Sequence, residues 1–417
     1  MKYEELSKVF YKAQQDDPHE ALRQELSKRV ESPSTFVLDY ATAHGNLFIS
    51  MPNEMITLFE RILRRERRIT KLMQQLPGIA GDEVLRSLVF DEVINSNYVE
   101  NIHSTRKQIE EALRDSNDSH DTRRFREFAR LYLDMTFSVP KLPRNPQDVR
   151  DIYDKVMDGE ELDEKPDGKL FRGDSVYVSN GLKKVHTGLY PEEKIIEAID
   201  KMLQIAYSDE IPAIYGAIAA HYIFEYAHPF YDGNGRTGRY LLSLFLERSL
   251  SKPTAVSLSR AIAKHKDAYY KAFKIAENPL NSGELTFFVL SILEFIFDAQ
   301  TDLIERLEEG NVRFDQISKA LPKVEDHFNY RSKELILIFA LAQQREFGMF
   351  EDSSLEALST LIDVSNQQAR KYLGRLMNDG VVKKVRGRNP VTFALTERFF
   401  DDFFDGDDSE VQKSIDL

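Results

Sequence analysis

The twelve residues His228-Pro229-Phe230-Tyr231-Asp232-Gly233-Asn234-Gly235-Arg236-Thr237-Gly238-Arg239 hold the densest candidate chemistry in this chain. His228 can accept a proton, and Asp232 can bind a hard cation. Gly233, Gly235 and Gly238 around Asn234 leave room for backbone N–H groups to turn inward as an anion nest. One carboxylate, at Asp232, is the protein ligand count expected of Mg2+ shared with nucleotide oxygens. Arg236 and Arg239 lie three apart, one helical turn, so both can reach the same polyphosphate. A loop histidine or a glycine-rich turn alone means little, but the whole set in one stretch points to a phosphate site. His221, on the preceding segment, reads instead as a core or capping histidine.

The elements around this stretch must hold it in place. Residues 214–226 and 241–250 are apolar helices, and the motif connects them. Pro229 discourages helix at His228 and Asp232-Gly233 is a turn pair, so the second helix is predicted to start near Gly238 with its positive end toward phosphates. Helical spacing also covers 55–76, 84–100, 105–115, 121–136, 146–158, 192–207, 257–277 and 285–308, with Asn145-Pro146 as a helix start. Two places break the pattern. Val176-Tyr177-Val178, Ser179-Asn180-Gly181 and Leu182 to Val185 read as a hairpin around Asn-Gly. Helices at 331–345, 354–362 and 366–379, then β-prone Val381 to Val385, a Gly387-Arg388-Asn389-Pro390 turn and Val391 to Leu395, read as a winged helix-turn-helix. Gly310, Asn311 and Pro322 place the boundary before it near 310–332.

Composition narrows the classes. The 417 residues are enough for two or three domains, and 30% charged with 42% hydrophobic residues is ordinary for a globular protein. With no cysteine, disulfides, thiolate metal sites and cysteine nucleophiles are excluded. No signal-peptide core opens the chain, and the longest apolar run, Leu285 to Ala299, is too short for a bilayer, so a cytoplasmic location without membrane attachment is expected. A net charge of −13 argues against a nucleic-acid coat. That average hides seven Lys or Arg against one acid between Asn366 and Pro390, and eight acids against two bases from Glu397 to Leu417.

The stretch at 228–239 resembles the signature HPFx[D/E]GNGRxxR of Fic-domain proteins at every specified position. The resemblance implies ATP as substrate, Mg2+, and transfer of AMP to a protein hydroxyl. By residue, it implies that His228 deprotonates the incoming Ser, Thr or Tyr and that Asp232 holds Mg2+ on the α- and β-phosphates. Gly233, Asn234, Gly235, Arg236 and Gly238 then bind phosphate, Arg239 positions the γ-phosphate, and Phe230 anchors the loop. The hairpin 176–185 resembles the flap on which a target docks by strand addition, and Tyr269 and Tyr270 resemble residues near an adenine pocket. Ser96-Asn97-Tyr98-Val99-Glu100-Asn101 resembles the family's inhibitory motif [S/T]xxxE[G/N]. Ser96 and Glu100 share a helix face, Asn101 can end that helix, and Thr105 with Gln108 can cap the next. In family terms Glu100 pairs with Arg239 and competes with the γ-phosphate.

The expected fold is therefore mainly α, a Fic helical core with a short β-hairpin flap followed by a winged helix-turn-helix domain. Its expected parts are an N-terminal helical region at 1–83, a Fic domain at 84–308 with the inhibitory helix around 90–101, a winged helix at 331–396 and an acidic tail at 397–417. The expected function is an autoinhibited protein adenylyltransferase. Two alternatives stay open: a de-AMPylase using the same residues, and a nucleotide-sensing regulator that binds DNA through 366–390. Self-modification and a homodimer are also open. The phenylalanine pairs 399–400 and 403–404 suggest that the tail docks on an apolar surface.

Overall fold

The computed structural model describes residues 3–13, 17–114, 125–180, 183–348, 350–388 and 390–404. The chain divides into two compact units, Met1–Arg68 with Leu88–Leu303, and Ile69–Ser87 with Ile304–Leu417. Among the described residues no helix is long and apolar enough to cross a membrane.

The N-terminal part contains helices α1 (Leu6–Lys12) and α2 (Pro18–Val30), the latter started by the Asp17 side chain accepting from the His19 and Glu20 N–H groups. It is not wholly helical as expected. Strands β1 (Thr35–Thr42) and β2 (Gly45–Ser50) form an antiparallel hairpin, in register from Thr35 opposite Ser50 to Thr42 opposite Gly45. Leu47, Phe48, Ile49 and Ser50 are buried in succession, so β2 carries no polar–apolar alternation to betray it. Buried Arg29 and Glu284, 2.8 Å apart, tie this region to the loop before the last long helix.

Helices α3 (Asn53–Gln74), α4 (Ile79–Val99), α5 (Arg106–Arg114), α6 (Arg126–Phe137) and α7 (Pro146–Val156) come next. Asn145 caps α7 through the Asp148 N–H at 3.0 Å, with Pro146 at the first helical position. The hairpin of β3 (Tyr177–Asn180) and β4 (Lys183–Thr187) pairs Tyr177 with Thr187 and Asn180 with Lys183; Gly181 and Leu182 of the expected turn lie outside the described residues. Then come α8 (Glu192–Ala206), α9 (Ala213–Ala227), α10 (Asn234–Leu246), α11 (Lys252–Ala255), α12 (Leu258–Lys264), α13 (Lys266–Ala276) and α14 (Thr286–Phe328). The run expected at 257–277 is broken at His265. Helix α9 is buried on nearly every side and packs between α8 and α10, so its C-terminal end is a rigid platform for the 228–233 loop.

The chain does leave the helix at 329–331, inside the expected range, but not at the three residues expected to break it. Helix α14 runs through Gly310, Asn311 and Pro322, and the division between units falls at Leu303, inside it. A side chain on Gly310 would meet Leu76 and Phe347 at about 3.5 Å, so the residue is small for packing. Asn311 uses its amide to bond Leu72 and Leu307 carbonyls within its unit. Segment 69–87 likewise belongs to the second unit and not to the N-terminal region.

The second unit adds α15 (Ser332–Phe347), β5 (Ser353–Ser354), α16 (Leu355–Leu361), α17 (Asn366–Asn378), β6 (Val382–Arg386), β7 (Thr392–Leu395) and α18 (Glu397–Phe403). Ser354 and Ser365 cap α16 and α17. The antiparallel sheet has the order β5-β7-β6, one short strand more than the sequence suggested. Residues 397–404, expected as the start of a tail, form α18, and Phe399, Phe400 and Phe404 are buried in the unit's own core beside Leu337, Leu341 and Leu373. The rest of the expected tail lies outside the described residues.

Candidate functional site

Helix α9 ends where His228 takes a left-handed conformation (φ 49°) and donates its N–H to the Phe224 carbonyl at 3.0 Å. Pro229 cannot continue the helix, and Phe230 turns inward, fully buried and stacked on Tyr153 at 3.6 Å with Phe171 at its edge. Gly233 (φ 78°) precedes α10. The Asn234 side chain closes the loop. Its Oδ1 accepts the Phe230 N–H at 2.9 Å, and its Nδ2 donates to the Phe230 carbonyl at 2.7 Å. Both polar atoms of the Asn234 side chain are thus held by the Phe230 backbone.

This clip also moves the helix start. Helix α10 begins at Asn234, one turn before the expected Gly238. Gly235 and Gly238 are therefore helical, and they are glycine for space. A Cβ on Gly235 would lie 2.0 Å from Glu100 Oε1, and one on Gly238 would lie 2.1 Å from Glu225 Oε1. Two carboxyl groups approach the α10 backbone where side chains would otherwise stand.

Helix α4 delivers the first of them. It ends at Val99, and Asn101 comes two residues later in a left-handed conformation, its side chain accepting from Lys266 Nζ at 2.8 Å. Thr105 and Gln108 cap α5 reciprocally. Arg239 is buried, and all three of its side-chain nitrogens are engaged. Nη1 donates to Glu100 Oε1 at 2.8 Å, Nε to Ser96 Oγ at 3.0 Å and Nη2 to the Ser96 carbonyl at 2.7 Å. Burial opposes the charge on Arg239, but Glu100 first, then Tyr269 and Glu225, together outweigh that cost and raise the guanidinium above its usual range. Arg236 is also buried and pairs with Glu160 at 2.6 Å, while its Nε finds no hydrogen-bond partner among the described residues.

A cavity of about 780 Å³ joins Glu100, Gly235 and Arg239 to His228, Tyr269 and Tyr270. Asp232 and Arg236 are not on its wall. Burial, with the positive potential of His186 and Arg172 behind it, lowers His228 from its ordinary value to about 3, so the ring is neutral at pH 7 and able to accept a proton. The two tyrosines separate. Tyr269 is buried with its hydroxyl on His221 Nε2 at 2.8 Å, whereas Tyr270 is 39% exposed. His221 is a core histidine. Its Nδ1–H donates to the Gly238 carbonyl at 3.1 Å, so Nε2 accepts from Tyr269, and burial holds its pKa down to about 3. Asp232 is exposed, with Oδ1 accepting the Gly233 N–H at 2.6 Å. No group of three His, Cys, Asp or Glu side chains suited to a metal occurs among the described residues.

Three residues that the sequence did not single out hold this arrangement. Fully buried Arg172 donates to the His228, Leu189, Ala227 and Asp174 carbonyls, and its own N–H reaches the Pro229 carbonyl, so one guanidinium ties the loop to the base of the flap. His186 on β4 places its ring nitrogens 3.0 Å from Glu277 Oε2 and 2.9 Å from the Tyr226 carbonyl, with its ring 6.4 Å from that of His228. Glu160 is the third. No spacing rule marks any of them, because each partner is distant along the chain.

Residues 143–246 match the model of the Fic/DOC family. The protein adenylyltransferase Fic of Drosophila willistoni is 27% identical over 177 residues, covering 42% of this chain and 32% of that protein. The protein of the same name from Drosophila virilis is 27% identical over 177 residues, with 42% and 33% covered. The chain spans about a third of the length of the curated relatives it matches. Among solved structures, a Fic family protein from Desulfovibrio desulfuricans G20 is 20% identical with a TM-score of 0.47, covering 81% of this chain and 96% of that one.

Proposed function

This chain is a Fic-domain protein, and from that premise we propose that it transfers AMP from ATP to a hydroxyl side chain of a target protein. The observation that carries the proposal is the single cavity in which a neutral His228, the start of α10 and Arg239 meet. His228 removes the proton of the incoming hydroxyl, and that oxygen forms a bond to the α-phosphorus. The bond from the α-phosphorus to the bridging oxygen breaks, and pyrophosphate leaves with the electron pair. Backbone N–H groups at Asn234 and Gly235 meet the charge that develops, at the positive end of α10, while the Gly233 N–H is held by Asp232. Arg236, released from Glu160, holds phosphate oxygens. An exposed Asp232 with one oxygen already taken fits a Mg2+ ion shared with the triphosphate, which would neutralise phosphate charge there. Tyr270, the more open of the tyrosine pair, suits the adenine better than Tyr269. The target hydroxyl reaches His228 from a backbone laid along the flap at 176–185.

Glu100 is the brake in this reading. Its hydrogen bond occupies the guanidinium nitrogen that the γ-phosphate needs, so ATP binds misaligned for in-line attack or does not bind. The test is incubation of wild type, Glu100→Gly and Glu100→Gly plus His228→Ala with α-³²P-labelled ATP, Mg2+ and host lysate. Label that rises in Glu100→Gly and vanishes when His228→Ala is added to it supports the proposal; equal label in Glu100→Gly with and without His228→Ala refutes it.

Hydrolytic removal of AMP from a modified target has one observation in its favour. Only Oε1 of Glu100 meets Arg239, and the side chain is 30% exposed to the cavity, so its other oxygen can hold a water. Release of free AMP when wild type is added to product labelled by Glu100→Gly would identify that activity. The second unit we read as a winged helix whose basic residues between 366 and 390 could meet DNA phosphates. Two of them are already engaged, Arg375 by Glu334 and Lys383 by Glu397. A gel shift that depends on 331–395 and not on His228 would test it.

A further inference from the structure

Glu225, three residues before His228, is the second carboxyl group pressed against α10, and the transfer reaction gives it no role. The residue lies on the wall of the cavity with Glu100, Gly235 and Arg239. Its Oε1 is enclosed against Gly238 with no hydrogen-bond partner among the described residues, an arrangement costly for a charged carboxylate, and this leaves its other oxygen to meet a ligand. Gly238 is tailored to it, since a Cβ there would clash with Oε1 and with the Phe224 ring. Resting on the nucleotide reading of this cavity, we propose that protonated Glu225 is a ligand-contacting residue that donates a hydrogen bond to the phosphate chain beside Arg239, so that triphosphate binding is coupled to one proton.

The charge balance supports this. Glu100 and Glu225 face one guanidinium, but only Glu100 bonds to it, and the other Arg239 donors go to Ser96. Burial first, then repulsion by Glu100, push the Glu225 carboxyl up to about 8, and Arg239 only partly opposes them. The neutral acid therefore prevails at pH 7. From α13, Tyr269 and Tyr270 face the same carboxyl. Lys266 stands farther along that wall, and His186 and Glu277 face each other across the flap side. When a phosphate displaces Glu100 it brings negative charge to the same place. An ionised Glu225 would repel it, whereas a protonated one has a hydrogen to give. Binding and protonation then favour each other by the same factor.

The experiment titrates ATP with Mg2+ into the full chain carrying His228→Ala, which stops turnover, and into the same chain carrying Glu225→Gln as well, at pH 7, 8 and 9. With one group titrating near 8, affinity should fall about tenfold from pH 7 to pH 9 in the first protein and stay flat in the second. Calorimetry of the first protein in buffers of different ionisation heat should show uptake of about one proton at pH 9, a readout that does not depend on how the Glu225→Gln variant folds. Adding Glu100→Gly removes one of the charges that raise Glu225 and should move the loss of affinity to lower pH. Parallel pH profiles in the two proteins, or no proton uptake, overturn the coupling. If the folded Glu100→Gly form also binds no ATP at any pH, the nucleotide reading fails and this inference falls with it.

Discussion

Replacing Glu100 by glycine should produce two opposite effects from one contact. Arg239 is buried, and Glu100 is its only charged hydrogen-bond partner among the described residues, at 2.8 Å. A hydrogen bond between charged groups contributes about 2 kcal/mol, so removing the competitor should tighten ATP binding by roughly thirtyfold. The same change strands a buried cation, which costs about 3 kcal/mol or more when no ligand is present. Glu225 stands close enough to ionise and offset part of that cost. Thermal denaturation should therefore show Glu100→Gly melting several degrees below wild type without nucleotide, and recovering more than wild type does on adding ATP and Mg2+. The crossed response distinguishes a competitor from a surface acid. If Glu100→Gly melts with wild type and gains nothing extra from ATP, Glu100 does not hold Arg239 in solution and the brake argument is refuted.

The same geometry sets three other outcomes. His228 is held down to about 3, so it stays neutral as the pH falls from 8 through its ordinary 6.5; the rate of label transfer should not drop with a midpoint near 6.5, and a His228-dependent midpoint there would contradict the burial. Arg172→Leu should unfold the loop–flap junction, at about 3 kcal/mol or more by denaturant titration, because several backbone carbonyls lose their donor together. Truncation after Leu395 removes Phe399, Phe400 and Phe404 from the core of the second unit, at about 2 kcal/mol each, and should abolish that unit's cooperative melting; an unchanged melt would show that α18 is dispensable.

Much of the helical framework was legible along the chain. Apolar residues at three- and four-residue spacing mark α8 because one face, with Ile195, Ala198, Ile199, Met202 and Leu203, meets the core, and Asn145-Pro146 marks the start of α7 because a cap is a local hydrogen bond. The failures have equally local causes. The β1–β2 hairpin was missed because β2 is buried at four consecutive positions, and α14 was cut short because glycine and proline were read by propensity alone. The start of α10 was misplaced by one turn because Asn234 spends its side chain on Phe230, a contact that propensity does not register.

By itself the sequence determined which residue types stand together at short spacing. The twelve-residue motif and the Ser96–Glu100 pair are legible because histidine, carboxylate, glycine and arginine at short fixed spacing constrain one loop and one helix face. Only the tertiary structure decided what those residues face. It set Glu100 against Arg239 across 139 positions of chain, gave Arg236 to Glu160, tied the His228 loop through Arg172, and enclosed one oxygen of Glu225 with no hydrogen-bond partner among the described residues. Such long-range pairings, and the burial that shifts His228 and Glu225 in opposite directions, arise from packing. A group's proton affinity depends on the water and charge around it, and neither is written in its neighbours along the chain.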